Sequence, residues 1–308
     1  VAATLIFLAI YRLGVFISLP YIDRAYVENP IPLFGFLDVF SGGALSTFSI
    51  LALGISPYIT ASIIIQLLQM DIVPILKEWA EEGDTGRQKL NQLTRYLALG
   101  LAFVQALTLT LGISLNYDNV IFGAGVDPTP FTFVYLALVA TAGTAFVLWL
   151  AEQITLKGVG NGTSMIIVAG ILASFPGMIG DLINVFIRNS ERGSDIIVFF
   201  LIIFMLILIV VGIVFMEAAK RKIPIQYANR PSTATFRGKN ESNIPIKLNS
   251  ASVIPVIFAS TIMSLPQTIV GFLTPTTFTY WLNQFFDYSK PIGFAIYIIL
   301  IFVFSFFY

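Results

Sequence analysis

A glycine-broken apolar stretch that runs directly into an apolar helix does most to limit how this chain folds. Residues 36–53 are apolar enough to enter a membrane, yet they carry Asp38, Ser41, Gly42, Gly43, Ser46 and Ser49. Residues 54–68, Gly-Ile-Ser-Pro-Tyr-Ile-Thr-Ala-Ser-Ile-Ile-Ile-Gln-Leu-Leu, follow without a break. Hydrocarbon cannot satisfy open backbone groups, so irregular backbone at membrane depth lies against protein or lines a cavity. The pattern predicts a water-accessible path beside residues 36–54. It also predicts a short re-entrant helix folding into the bundle from the outer side. The competing reading is a helix lying flat at the membrane surface.

The rest of the chain supports a membrane setting. Apolar residues make up 57% of it and charged residues 11%, against about 25% charged in a soluble domain; the mean hydropathy is +0.87. The charges gather between apolar runs long enough to cross hydrocarbon as helices. Eight spans are expected, near 1–20, 54–70, 94–114, 131–152, 162–187, 195–216, 250–273 and 291–308. Residues 1–20 lack the basic start and small-residue cleavage site of a signal peptide and are kept as a span. Val1 and Tyr308 both fall inside apolar runs, so flanking sequence is expected at both ends.

Cysteine and histidine are absent. That excludes disulfides, thiolate nucleophiles, zinc–histidine sites and histidine proton relays. No metal site or cofactor is expected. The loops after spans 2, 4 and 6 hold twelve of the seventeen Lys and Arg residues, including Lys77, Arg87, Lys89, Arg95, Lys157 and seven between Lys220 and Lys247. By the positive-inside rule these loops are cytoplasmic, and so is the N-terminus.

Span 54–70 opens with Ser56, a candidate cap, and Pro57, whose missing N–H costs nothing in a first turn. Ile55 and Ile59 share one face, with Thr60, Ser62 and Gln66 placed elsewhere around the helix. Span 250–273 repeats this design, with Pro255 early, Ile254 and Ile257 three apart, and Ser260-Thr261 at its middle. Such correspondence suggests two related halves. The loop 217–249 carries Lys220, Arg221, Lys222, Arg230, Arg237, Lys239 and Lys247 against only Glu217 and Glu241, and Ile223 to Tyr227 suit one arm of a hairpin. A basic loop of this kind touches anionic lipid or docks a partner. Loop 71–95 is mixed in charge and turn-rich around residues 81–89.

Catalysis finds little support. Gly158-Val159-Gly160-Asn161-Gly162 follows a helix, whereas a phosphate cradle needs a strand before it. It reads as a tight turn between spans 4 and 5. Asn161-Gly162-Thr163 and Asn240-Glu241-Ser242 match the glycosylation triplet but fall on the side read as cytoplasmic. Ionisable residues within spans are few. They are Arg12, Asp38 as a possible helix cap, and Glu152 and Glu217 at helix ends. Ion-coupled transport usually leaves more of them. An apolar constriction that holds back ions by dewetting suits the composition better, and isoleucine, stiff at χ1, suits such a constriction. The rival is a secondary transporter of a small solute, coupled through Asp38 or Arg12.

These segments resemble the SecY-type protein-conducting channel of bacteria, from span 1 to the start of span 8. The resemblance is carried by Phe-Ser-Gly-Gly-Ala-Leu-Ser (40–46), the 54–68 segment, Thr-Arg-Tyr (94–96), Trp-Leu-Ala-Glu-Gln-Ile-Thr (149–155), Gly-Val-Gly-Asn-Gly (158–162) and Val-Ile-Pro-Val-Ile-Phe-Ala-Ser (253–260). It implies an all-α polytopic bundle of two pseudo-symmetric halves. About eight of ten spans and a re-entrant plug helix would be present. The halves would be 1–187 and a truncated 188–308.

By the same resemblance Phe36, Asp38, Phe40, Gly42, Gly43 and Ser46 belong to the plug, and Ile55, Ile59, Ile167 and Ile257 to the pore ring. Thr60, Ser260 and Thr261 lie along the lateral gate, and Lys220, Arg221, Lys222, Arg230 and Arg237 form a docking loop. The implied partners are the small membrane subunits SecE and SecG, the motor ATPase SecA, a translating ribosome, signal peptides and nascent secretory chains, and anionic lipids. The implied location is the bacterial cytoplasmic membrane, and no catalytic residue is implied. Thr163 and Met165 stand where many relatives carry isoleucine, and loop 231–243 matches no familiar pattern.

Overall fold

The computed structural model describes residues 1–22, 41–69, 72–116, 129–188, 194–225, 242–248, 254–270, 277–287 and 290–307. In chain order its elements are α1 (Ala2–Val15), α2 (Ser56–Leu68), α3 (Pro74–Glu81), α4 (Asp84–Asn116), α5 (Pro130–Lys157) and α6 (Gly162–Ile183). The last continues as a π-helical turn over Asn184–Arg188. Then come α7 (Ser194–Ala218), β1 (Lys220–Ile225), β2 (Ser242–Lys247), α8 (Ile254–Val270), α9 (Thr277–Phe286) and α10 (Pro291–Phe307). Each expected span has a helix within it. Among the described residues, four helices are long and apolar enough to cross a membrane, over 84–111, 130–157, 162–187 and 196–218, while α1 and α2 are shorter. The α9–α10 pair, bent by 48°, passes the same test jointly.

Two compact units are present. The first comprises residues 1–179 and 260–297, the second residues 180–259 and 298–308. In the first unit α4 packs against α2, α3 and α5, and α1 packs against α5. Small residues make that closeness possible. Ala61, Ala98 and Leu148 form one buried cluster, and Leu136, Ala137 and Ala140 of α5 meet Ala106 of α4 in another. Ile65, Leu76 and Leu90 knit α2, α3 and the start of α4 together. Threonines inside the helices bond back to the preceding turn. Thr108 donates to Val104 O at 2.8 Å, Thr141 to Ala137 O at 2.7 Å and Thr144 to Ala140 O at 3.2 Å. Such bonds leave no hydroxyl stranded in an apolar interior.

Helix boundaries depart from the sequence reading in three places. α1 stops at Val15 because the residues after it leave the helix and pair with the glycine-broken stretch. Ser56 does not cap α2. Ile55 occupies the cap without a side-chain bond, and Ser56 and Pro57 form the first turn. The turn-rich loop 71–95 is largely helical, comprising amphipathic α3 and a first turn of α4 that begins at Asp84. A charged first turn reads as loop by composition, although an acidic residue there complements the helix dipole. The tight turn at 158–162 forms as expected. Asn161 Oδ1 accepts from the Thr163 N–H at 3.0 Å and opens α6, while the Thr155 hydroxyl accepts from Gly162 N–H at 2.8 Å.

In the second unit α7 is apolar on every side, and no residue of its membrane-length stretch is buried. A helix of that composition requires lipid or a partner around it. β1 and β2 pair antiparallel from Lys220↔Lys247 to Ile225↔Ser242, joined to the end of α7 by Leu248 N–H donating to Ala219 O at 3.1 Å. Phe258 of α8 meets Phe304 of α10 edge-on, 5.5 Å between centroids.

Candidate functional site: the seated glycine segment

Residues 41–55 run through successive turns rather than a regular helix. Gly42, Gly43 and Gly54 have positive φ, as does Phe48 at 44°. Much of the segment's backbone is nonetheless hydrogen-bonded. Leu19 N–H donates to Phe48 O at 2.8 Å, and Ile50 N–H donates to Ile17 O at 2.9 Å, which sets Ser18 opposite Ser49 in an isolated antiparallel bridge. The Thr47 hydroxyl donates to Gly43 O at 2.8 Å and Ser46 to the same oxygen at 3.1 Å, while Ser49 Oγ accepts from Leu51 N–H at 3.2 Å. Among the described residues, no buried side-chain nitrogen or oxygen lacks a partner.

The segment is held inside the first unit, not laid flat at its surface. Ala44, Leu45, Phe48, Ser49, Leu51, Ala52 and Ile55 are all buried. Gly143 of α5 lets the backbone approach, because any Cβ there would collide with the Ile50 carbonyl. Two neighbours on α1 reach across. Tyr11 Oη donates to Ser41 O at 3.0 Å, and Arg12 Nη1 donates to Gly42 O at 2.6 Å.

The residues expected to act together are placed as follows. Ile55, Ile59 and Ile167 join one apolar cluster with Ala44, Tyr11, Val15, Leu51, Val147, Leu150 and Ile166. Ile257 lies on α8 in the second unit and is half-buried. Gly42, Gly43 and Ser46 lie in the seated segment, whereas Phe36, Asp38 and Phe40 fall outside the described residues. Thr60 is buried on α2, its hydroxyl donating to Ser56 O at 3.1 Å, and Thr261 is buried on α8 beside half-exposed Ser260. Lys220, Arg221 and Lys222 are exposed on β1, and Arg230 and Arg237 fall outside the described residues.

Sequence reasoning did not find the partners of two charges. Glu152 on α5 pairs with Arg95 on α4 at 2.6 Å, linking the two motifs Thr94–Tyr96 and Trp149–Thr155. Lys247 pairs with Glu217 at 3.4 Å across the foot of the β-ribbon. Both pairs are solvent-accessible and worth at most about 1 kcal/mol each.

These features define a class: a polytopic α-helical membrane protein that packs a broken, glycine-turned segment into its own helical bundle. Comparison with known proteins places it further. The SecY family model matches residues 49–308. The protein translocase subunit SecY of Halalkalibacterium halodurans is 44% identical over 310 residues, covering 99% of this chain and 71% of that protein. The Bacillus subtilis protein of the same name is 43% identical with the same coverage. A solved structure of a protein-conducting channel superposes with a TM-score of 0.70 at 22% identity, over 99% of this chain and 70% of the other. A second, of SecY with attention to its plug domain, gives 0.68, also at 22% identity. The chain belongs to the SecY family, and its fold is that of the SecY channel.

Proposed function

We infer that this chain is the channel subunit of a protein translocase, moving secretory polypeptides across a membrane and releasing apolar segments sideways into lipid. The observation that carries this is 44% identity to a protein translocase subunit across 99% of the chain. The geometry agrees with it. A segment of broken backbone sits in the helical bundle, with three isoleucines packed in the cluster that receives it. None of the observations favours a small-solute transporter, and Arg12, one of its two candidate coupling residues, is engaged with a backbone carbonyl.

In this reading Gly42, Gly43 and Ser46 belong to a plug that closes the channel from outside. Phe36, Asp38 and Phe40 are assigned to it by family likeness. Ile55, Ile59 and Ile167 serve as the apolar constriction, which excludes ions by dewetting, and Ile257 is given that role from the family alone. Thr60, Ser260 and Thr261 line the helices between which a signal sequence leaves. The chain performs no catalytic step, so the driving energy comes from SecA or a ribosome docked on the basic ribbon at Lys220, Arg221 and Lys222, helped by Arg230 and Arg237. SecE and SecG complete the complex in the bacterial cytoplasmic membrane, with anionic lipids around it and the N-terminus in the cytoplasm.

Cysteines at Thr60 and Thr261, in a chain that has none of its own, test the gate directly. A short cross-linker should block translocation of a secretory precursor by the reconstituted complex, and a long one should leave it running. Translocation indifferent to both would remove these helices as the gate.

A further inference from the structure

Tyr11 and Arg12 are consecutive on α1, yet they donate to two consecutive carbonyls thirty residues further on, Ser41 O and Gly42 O. Neighbouring residues on a helix point about 100° apart. For both to bond successive peptide units, the target backbone must turn with them, and Gly42 at φ 71° makes that turn. Gly42 is also confined at its α-carbon. A Cβ built on it would lie 3.0 Å from Gly170 Cα of α6 and 3.4 Å from Arg12 Nη1. Positive φ and backbone contact together leave room for glycine alone. The peptide is thus gripped through its carbonyl by α1 and seated through its α-carbon on α6.

The guanidinium is unusual for a membrane helix. It is half-buried, lies over the Phe16 ring at 5.2 Å, and pairs with no carboxylate among the described residues. A charge within an apolar membrane helix is costly unless backbone dipoles or water take it up. Its bond to a neutral carbonyl is charge-assisted and is the stronger of the two. Both bonds exist only while the segment is seated. Once the segment swings away, water in the opened path hydrates Ser41 O, Gly42 O and the guanidinium alike.

We propose that Tyr11 and Arg12 are positioning residues that latch the glycine segment in its seated state, so that opening begins with release of the Arg12–Gly42 bond. The latch rests on the channel reading above and adds a specificity role, because a signal sequence must supply enough binding energy to break it. Removing a donor penalises only the seated state, where the freed carbonyl meets no water. The open population should then rise about ten- to a hundredfold for Arg12→Leu and about two- to tenfold for Tyr11→Phe.

The test uses the full-length protein reconstituted with its small membrane subunits, reading resting ion current and translocation of a precursor with a weakened signal sequence in the same vesicles. Arg12→Leu should raise both, Tyr11→Phe should raise both by less, and Arg12→Lys, which keeps a charged donor, should return the current most of the way to rest. A folding defect lowers both readouts instead, and if Arg12→Leu does not assemble, Tyr11→Phe decides. If the unmodified protein carries precursor but neither variant raises current or weak-signal translocation, the latch is wrong. If the unmodified protein carries no precursor, the channel reading itself is wrong.

Discussion

Single atoms decide how closely the broken segment can sit. Gly143 is the tightest case, because the Ile50 carbonyl occupies the space where its Cβ would be. Neither backbone can yield without disturbing the Ser18–Ser49 bridge on one side or α5 on the other. Gly143→Ala should therefore destabilise the protein by about 1–3 kcal/mol, the usual cost of overpacking a tight core. The check is the thermal midpoint of detergent-solubilised protein followed by size-exclusion chromatography; an unchanged midpoint would mean the segment does not pack on α5 there. Little of this residue-level detail is legible in the sequence. Gly42 and Gly43 announce a break, and Arg12 stands out as a charge in a span. Nothing in local spacing says that Arg12 reaches Gly42, because the two meet through tertiary packing across thirty residues.

The elements were more legible than their ends. Each apolar run of membrane length produced a helix, since hydrocarbon leaves a spanning backbone few alternatives. Boundaries failed where propensity and composition disagree. Ser56 looks like a cap but lies inside the first turn, and Asp84 looks like loop but starts α4. The extended residues after α1 were missed because a two-residue pairing has no periodicity to read. That pairing makes a sharp prediction of its own. Ser18 and Ser49 form a non-hydrogen-bonded antiparallel pair, flanked by the Leu19–Phe48 and Ile50–Ile17 bonds. Such pairs bring Cα atoms to about 4.5 Å, within the range a disulfide spans. Ser18→Cys with Ser49→Cys should cross-link under mild oxidation, detected as a disulfide-linked peptide pair by mass spectrometry. Absence of that pair would place the segment elsewhere.

At the scale of the whole molecule, the uneven distribution of basic residues has to match the order of the helices. Lys157 closes α5 on the side read as cytoplasmic, and the turn 158–162 immediately starts α6. α6 then runs 22 residues, about 33 Å at the helical rise and enough to cross hydrocarbon. Asp181 lies near its far end and is exposed, as is Lys157. The two residues should therefore sit on opposite faces of the membrane. Placing the basic side in the cytoplasm follows from the charge rule, since one lysine in a loop system of twelve basic residues contributes little alone. In the naturally cysteine-free chain, Asp181→Cys should react with an impermeant maleimide applied outside intact spheroplasts, and Lys157→Cys should react only in inverted vesicles. The reverse pattern would invert the topology and move the basic ribbon away from any cytoplasmic motor. Reaction of both from one side would mean that α6 does not span, and with it the seat of Gly42 on Gly170 would no longer lie at membrane depth.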